Sequence, residues 1–170
     1  MLIPRPYPWH LLLATSLLVL VNGGCSWNRE AAVSPKTIVS RQLCRQGIAA
    51  MERNQWDEAE PLLAKAVDVC PEAPEARAKY ADLLWHRNRR AEGIREMAEA
   101  IRLAPDDAAL RVTYGEMHLA MGNLESAGEA ADLALDMKPK LASAWALRGR
   151  LMRRTGKLRE ALSDLHRAEG

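Results

Sequence analysis

The chain has 170 residues, enough for one folded domain and a tail, and its 24 Lys+Arg against 22 Asp+Glu leave it close to neutral. No long block of one sign occurs, which argues against the basic stripe of a sequence-independent nucleic-acid binder. Phe is absent, and Ala and Leu dominate the apolar residues, so the composition favours helix over strand. The densest run of cations, Arg148, Arg150, Arg153, Arg154, Lys157 and Arg159, reads as a solvated helical face.

In chain order, the first element is an apolar run of eleven residues, Leu11 to Val21 (LLLATSLLVLV). A membrane-spanning helix needs about 20 apolar residues, whereas the core of a secretory signal needs about 7–15. Arg5 and His10 precede the run, and Gly23-Gly24 supply small residues before a cleavage point. Cys25 follows. Gly23-Gly24-Cys25 resembles the lipobox of bacterial lipoproteins, with Asn22 in place of the aliphatic residue that family prefers. The resemblance implies a signal peptide over 1–24, a lipid on the Cys25 thiol and an exported protein tethered to a membrane of the bacterial envelope. A plainly cleaved signal and a retained anchor are the two other readings, and all three place the remainder outside the cytoplasm. Residues 25–37 then read as a tether that ends in a helix start, with Ser34 as N-cap and Pro35 at the first helical position.

From about residue 38 the sequence repeats with a period of 34. Pro71, Pro105 and Pro139 form one column, and Ala66, Ala100, Ala134 and Ala168 a second. Ala59, Gly93, Ala127 and Ala161 form a third, and Gly47, Ala81, Gly115 and Gly149 a fourth. The fifth is Asn54, Asn88, Gly122 and Gly156. Small residues let helices approach closely. Gly and Asn tolerate the left-handed backbone that ends a helix and turns the chain. Proline cannot continue a helix interior. The columns therefore predict paired helices at about 36–53 and 56–69, 74–87 and 90–103, 107–121 and 124–137, and 141–155 and 158–169.

This pattern resembles the tetratricopeptide repeat, most fully in the fourth unit, where Trp145, Gly149, Gly156, Ala161 and Ala168 hold the signature places. The resemblance implies an all-α, right-handed solenoid of helical hairpins over 38–170, with repeats at about 40–73, 74–107, 108–141 and 142–170. The chain departs from the pattern in its first aromatic column, Leu43, Arg77, Arg111 and Trp145, where arginine is expected to lay its stem over a neighbour and keep its head in water. It departs again in the second, Ala50, Leu84, His118 and Met152.

In that family the first helix of each pair lines a concave groove. Carried over, the groove residues are Met51, Lys79, Asp82, Trp85, Glu116, Leu119, Arg150 and Arg153, with Val112 and Arg154 beside them. The expected groove is apolar in its middle and basic toward its C-terminal end, and it takes a peptide or a helix of a protein partner. Chaperone-binding members hold a C-terminal carboxylate with Lys, Asn and Arg, but the matching places here lack the two asparagines. Trp85 has two readings, as an interface anchor or as packing within the superhelix. No polar capping element follows the last hairpin, so Leu158, Leu162 and Leu165 are expected on an open face, and self-association through that hairpin is the alternative function.

Nothing nominates a catalytic residue. There is no HExxH or Cys-x-x-Cys, and no phosphate loop. His118 stands at a packing position, and His86 and His166 read as surface residues. The expectation is a non-catalytic scaffold with no cofactor or metal and no nucleic acid, and the resemblance to bacterial tetratricopeptide lipoproteins implies an aid to envelope or pilus assembly. Cys44 and Cys70 sit at the same end of the first hairpin and have two readings, a disulfide or two free thiols.

Overall fold

A computed structural model describes residues 34–169. The signal segment, Cys25 and the tether as far as residue 33 lie outside the described residues.

The described residues form eight helices and no strand: α1 (Pro35–Glu52), α2 (Trp56–Val69), α3 (Pro74–His86), α4 (Arg90–Leu103), α5 (Ala108–Met121), α6 (Leu124–Met137), α7 (Ala142–Arg154) and α8 (Leu158–Glu169). Every boundary falls within one residue of the sequence expectation. Pro35 takes the first position of α1, but the Ser34 side chain makes no capping bond. Each odd helix packs on the even helix after it, and each even helix packs on the next odd one. The result is a solenoid of four hairpins.

The hairpin tips show why the period holds. Asn54, Asn88, Gly122 and Gly156 are the residues with positive φ among those described, at 58°, 63°, 85° and 80°. This backbone is costly for most L-residues and tolerable for Asn and Gly, so the fifth sequence column is the set of turns. At the opposite end, the prolines act through their carbonyls. Arg77 Nε donates to Pro71 O at 2.9 Å, Arg111 Nη2 to Pro105 O at 3.0 Å and Trp145 Nε1 to Pro139 O at 2.8 Å. The arginines of the departing aromatic column thus spend an N–H on the backbone, not on water alone. They reproduce the tryptophan's bond with a different side chain.

Three apolar clusters run along the stack. Cys44, Ala59, Leu63, Ala76 and Leu83 join the first two hairpins. Ala81, Met97, Ala100 and Met117 join the second and third. Val112, Leu119, Ala131, Leu147 and Leu151 join the third and fourth.

The bridge between Cys44 and Cys70 is not formed, and both thiols are free. Helix register explains this. Cys70 Sγ lies 3.9 Å from Thr37 Oγ1, and Ser40 Oγ donates to Ala66 O at 2.8 Å. Cys44 stands seven residues beyond Thr37, a rise of about 10 Å along a helix at roughly 1.5 Å per residue. A disulfide tolerates a Cα separation of no more than about 7 Å. Cys44 is buried instead, and burial pushes its thiol up to about 11, with Glu75 adding to the effect and Lys79 opposing it. At the other end, Leu158 and Leu162 of α8 are 61% and 60% exposed, as expected. Leu165 is half-buried, because it packs into the space that Gly149 leaves open.

Candidate functional site

The leading helices α1, α3, α5 and α7 carry the predicted groove residues. Two rows, each stepping by 34, define the face: Ile48, Asp82, Glu116 and Arg150, then Met51, Trp85, Leu119 and Arg153.

From Asp82 onward the first row is charged and paired. Lys79 Nζ lies 3.5 Å from Asp82 Oδ2, and Arg150 Nη2 bonds to Glu116 across the gap between α7 and α5. Burial raises the Asp82 carboxyl above its ordinary value. Lys79 and His86 oppose that shift, and the Glu116 charge adds to it. Arg150 keeps its Nε shielded from solvent without a protein partner. Arg154 Nη1 donates to the Leu119 carbonyl, which ties the end of α7 back to α5. Arg153 is exposed and has no carboxylate partner among the described residues.

The second row divides by depth. Met51 packs against the cluster of the first two hairpins, and Trp85 against the cluster of Ala78, Ala81 and Met97. Both are half-buried. The Arg90 guanidinium stands 5.5 Å from the Trp85 ring centroid, a cation–π contact that leaves part of the ring accessible.

Leu119 does not belong to an open groove. It is 8% exposed and packs with Val112, Leu147 and Leu151. Gly115 is the cause, since its missing Cβ lets Leu147 seat against α5 and draws α7 over that stripe. The middle of the face therefore combines the carboxylates of Asp82 and Glu116 with the partly accessible Trp85 ring, while Leu119 and Val112 are withdrawn into the core. Arg150 and Arg153 put cationic groups on α7.

Sequence reasoning missed a cluster at the hairpin tips. Arg87 pairs with Asp57 at 2.6 Å and with Glu60 at 3.5 Å, while Arg89 bonds to Glu60 and to Glu92. Trp56 stacks on His86 with ring centroids 5.0 Å apart. The available signal was the 30-residue spacing of Asp57 and Arg87, which brings the start of one trailing helix under the tip of the next hairpin.

A stack of hairpins whose leading helices share one polar face defines the class: a helical-repeat solenoid for holding other proteins. The comparisons place it within that class. Two family models described as tetratricopeptide repeat match residues 44–108 and 84–151. The chain belongs to the tetratricopeptide-repeat proteins. Human DnaJ homolog subfamily C member 7 is 30% identical over 101 residues, which cover 58% of this chain and 20% of that protein. The chain thus matches about a fifth of the length of this curated relative. Among solved structures, MamA from Desulfovibrio magneticus superposes with a TM-score of 0.67 at 18% identity, over 76% of this chain and 73% of that one. Pseudomonas aeruginosa pilF superposes with a TM-score of 0.73 at 16% identity, over 79% and 62%. At these identities the likeness is one of fold.

Proposed function

We propose that the chain is a membrane-tethered adaptor of the bacterial envelope that holds a peptide or helix of another protein along α1, α3, α5 and α7. Tetratricopeptide domains are in general protein–protein interaction scaffolds, and nothing in the described site points to catalysis. The observation that carries the reading is the row Lys79, Asp82, Glu116, Arg150 and Arg153 with Trp85 beside it. It is a partly accessible aromatic flanked by charges of both signs, the composition that binding hot spots favour. The location rests on Gly23-Gly24-Cys25 behind the apolar run, and a lipid on Cys25 would supply the tether. An assembly role in the envelope is in keeping with the fold shared with pilF.

The test is capture of partners from solubilised envelopes by the full chain and by the Trp85→Ala, Arg150→Ala double variant. Partners retained in full by the variant would remove the groove from the account. Labelling with radioactive palmitate, with Cys25→Ala as the control, tests the tether. Self-association through α8 is the second reading, supported by the exposed Leu158 and Leu162. Sedimentation of the parent and of a Leu158→Ser, Leu162→Ser variant separates the two.

A further inference from the structure

One place recurs in every hairpin, and its chemistry changes along the array. It is set by Leu43, Arg77, Arg111 and Trp145 on the leading helices and by Leu62, Glu96, Ala130 and Asp164 on the trailing ones. In the first hairpin both positions are leucine. In the second, Arg77 Nη1 donates to Glu96 at 2.7 Å in addition to the Nε bond with Pro71. In the fourth, Asp164 is buried and accepts two bonds from Arg148 at 2.8 and 2.9 Å, while Trp145 lies between the guanidinium groups of Arg148 and Arg167. The first two places are matched, apolar with apolar and cation with carboxylate, and in the fourth the acid takes its cation, Arg148, from outside the column.

The third hairpin breaks the rule. It has the cation, Arg111, but an alanine where its neighbours have an acid. Arg111 Nη2 reaches Pro105 O, yet Nε is shielded from solvent and has no partner. The space is not filled by another side chain. A pocket of about 240 Å³ remains, lined by Arg111, Tyr114, Ala130, Ile101 and Leu133, with the exposed Glu129 at its rim. Nε itself is closed to a ligand, but Arg111 lines the pocket and has no carboxylate partner among the described residues, and a carboxylate is the acceptor that suits a guanidinium best. The residue is also separate from the groove, because Arg111 and Glu116, five residues apart on α5, diverge by about 140° at 3.6 residues per turn.

We propose that this pocket binds a carboxylate carried on a short apolar stem, seated as the Glu96 carboxylate is seated on Arg77 in the preceding hairpin. The stem lies against Ile101 and Leu133, and the acid meets Arg111. Such a group is either an acidic side chain of a partner or a free aliphatic acid. Glu129 repels it and sets an upper bound on its affinity.

The test uses the ¹⁵N-labelled full chain and follows the Arg111 Nε–H resonance, assigned by its loss in Arg111→Gln. Isovalerate probes the free acid, N-acetylglutamate methylamide the side chain, and isovaleramide is the neutral control. The expected result is a saturable shift with at least one acid and none with the amide, and the tighter acid identifies the source. Ala130→Glu supplies the missing carboxylate from within the chain. It should weaken acid binding at least tenfold and raise the thermal midpoint. Glu129→Gln should tighten binding at least threefold. An equal shift with the amide, no saturable shift with either acid, or unchanged affinity in both variants overturns the proposal.

Discussion

Gly115 of α5 and Leu147 of α7 meet so closely that a Cβ on residue 115 would lie 2.6 Å from Leu147 Cδ2. Ala130 Cβ would be 3.0 Å away and the Ala127 carbonyl 3.4 Å, so the site is crowded on three sides. Leu147 is fully buried and has no free direction in which to turn. Gly115→Ala should therefore destabilise the fold by about 1–3 kcal/mol through overpacking. Gly156→Ala is the comparison: nothing lies within 4 Å of its Cβ, but its φ is +80°. It should cost about 1–2 kcal/mol through the left-handed backbone alone. Urea unfolding of the two variants separates crowding from strain.

His118 gives the fold a dependence on pH. It is 9% exposed, with Tyr114 tilted against it at 4.3 Å between centroids and Asn123 Nδ2 3.3 Å from its Nδ1. Nε2 has no partner. Burial lowers its pKa below the ordinary 6.5, so the folded chain keeps the ring neutral while the unfolded chain takes a proton first. The stability from the neutral ring is complete above pH 6.5 and is lost as the pH falls through that value toward the lowered one. His118→Met, which copies the residue at the equivalent place in the fourth hairpin, should remove this part of the loss. Unfolding free energies at pH 7.5 and pH 5.5 check it.

Asp82 has the opposite sign. Its folded pKa is raised, chiefly by burial, so the unfolded chain releases the proton first and the ionised carboxylate opposes folding at neutral pH. Asp82→Asn should raise the thermal midpoint at pH 7, and the gain should shrink as the pH falls toward the ordinary carboxylate range. An unchanged or lowered midpoint would mean that the Lys79 contact outweighs desolvation. A polar residue kept at a cost to stability on the accessible face is the pattern expected of a binding residue.

Trp145→Phe retains a ring between Arg148 and Arg167 but removes the Nε1–H bond to Pro139 O. The loss should be about 1 kcal/mol, the usual net worth of such a bond. A loss near zero would indicate that water replaces the indole at that carbonyl.

The repeat was legible in the sequence because its punctuation is local chemistry. Asn54, Asn88, Gly122 and Gly156 mark turns whatever surrounds them, and Pro71, Pro105 and Pro139 mark helix ends in the same way. The site was less legible because depth is a tertiary property. Leu119 and Trp85 hold equivalent places on successive leading helices. Only the close approach of α7 over Gly115 puts the leucine in the core, while the tryptophan stays partly open. The two cysteines left two readings open for a related reason: being at one end of a hairpin does not fix register, and the chain sets Cys70 beside Thr37. The arginines at 77 and 111 looked like surface departures from an aromatic column. The proline six residues before each was the sign that their N–H groups had an acceptor.

The hairpin-tip cluster of Arg87, Arg89, Asp57 and Glu60 makes the joints of this solenoid unlike one another. Ionic strength bears on the joint between the first and second hairpins, since much of that cluster is solvent-accessible. The joint between the third and fourth carries fewer such pairs, Arg150–Glu116 and Arg148–Asp132, over a core of alanine and leucine. In concentrated electrolyte the leading joint should loosen more than the trailing one, so salt would weaken the ordered array from one end first.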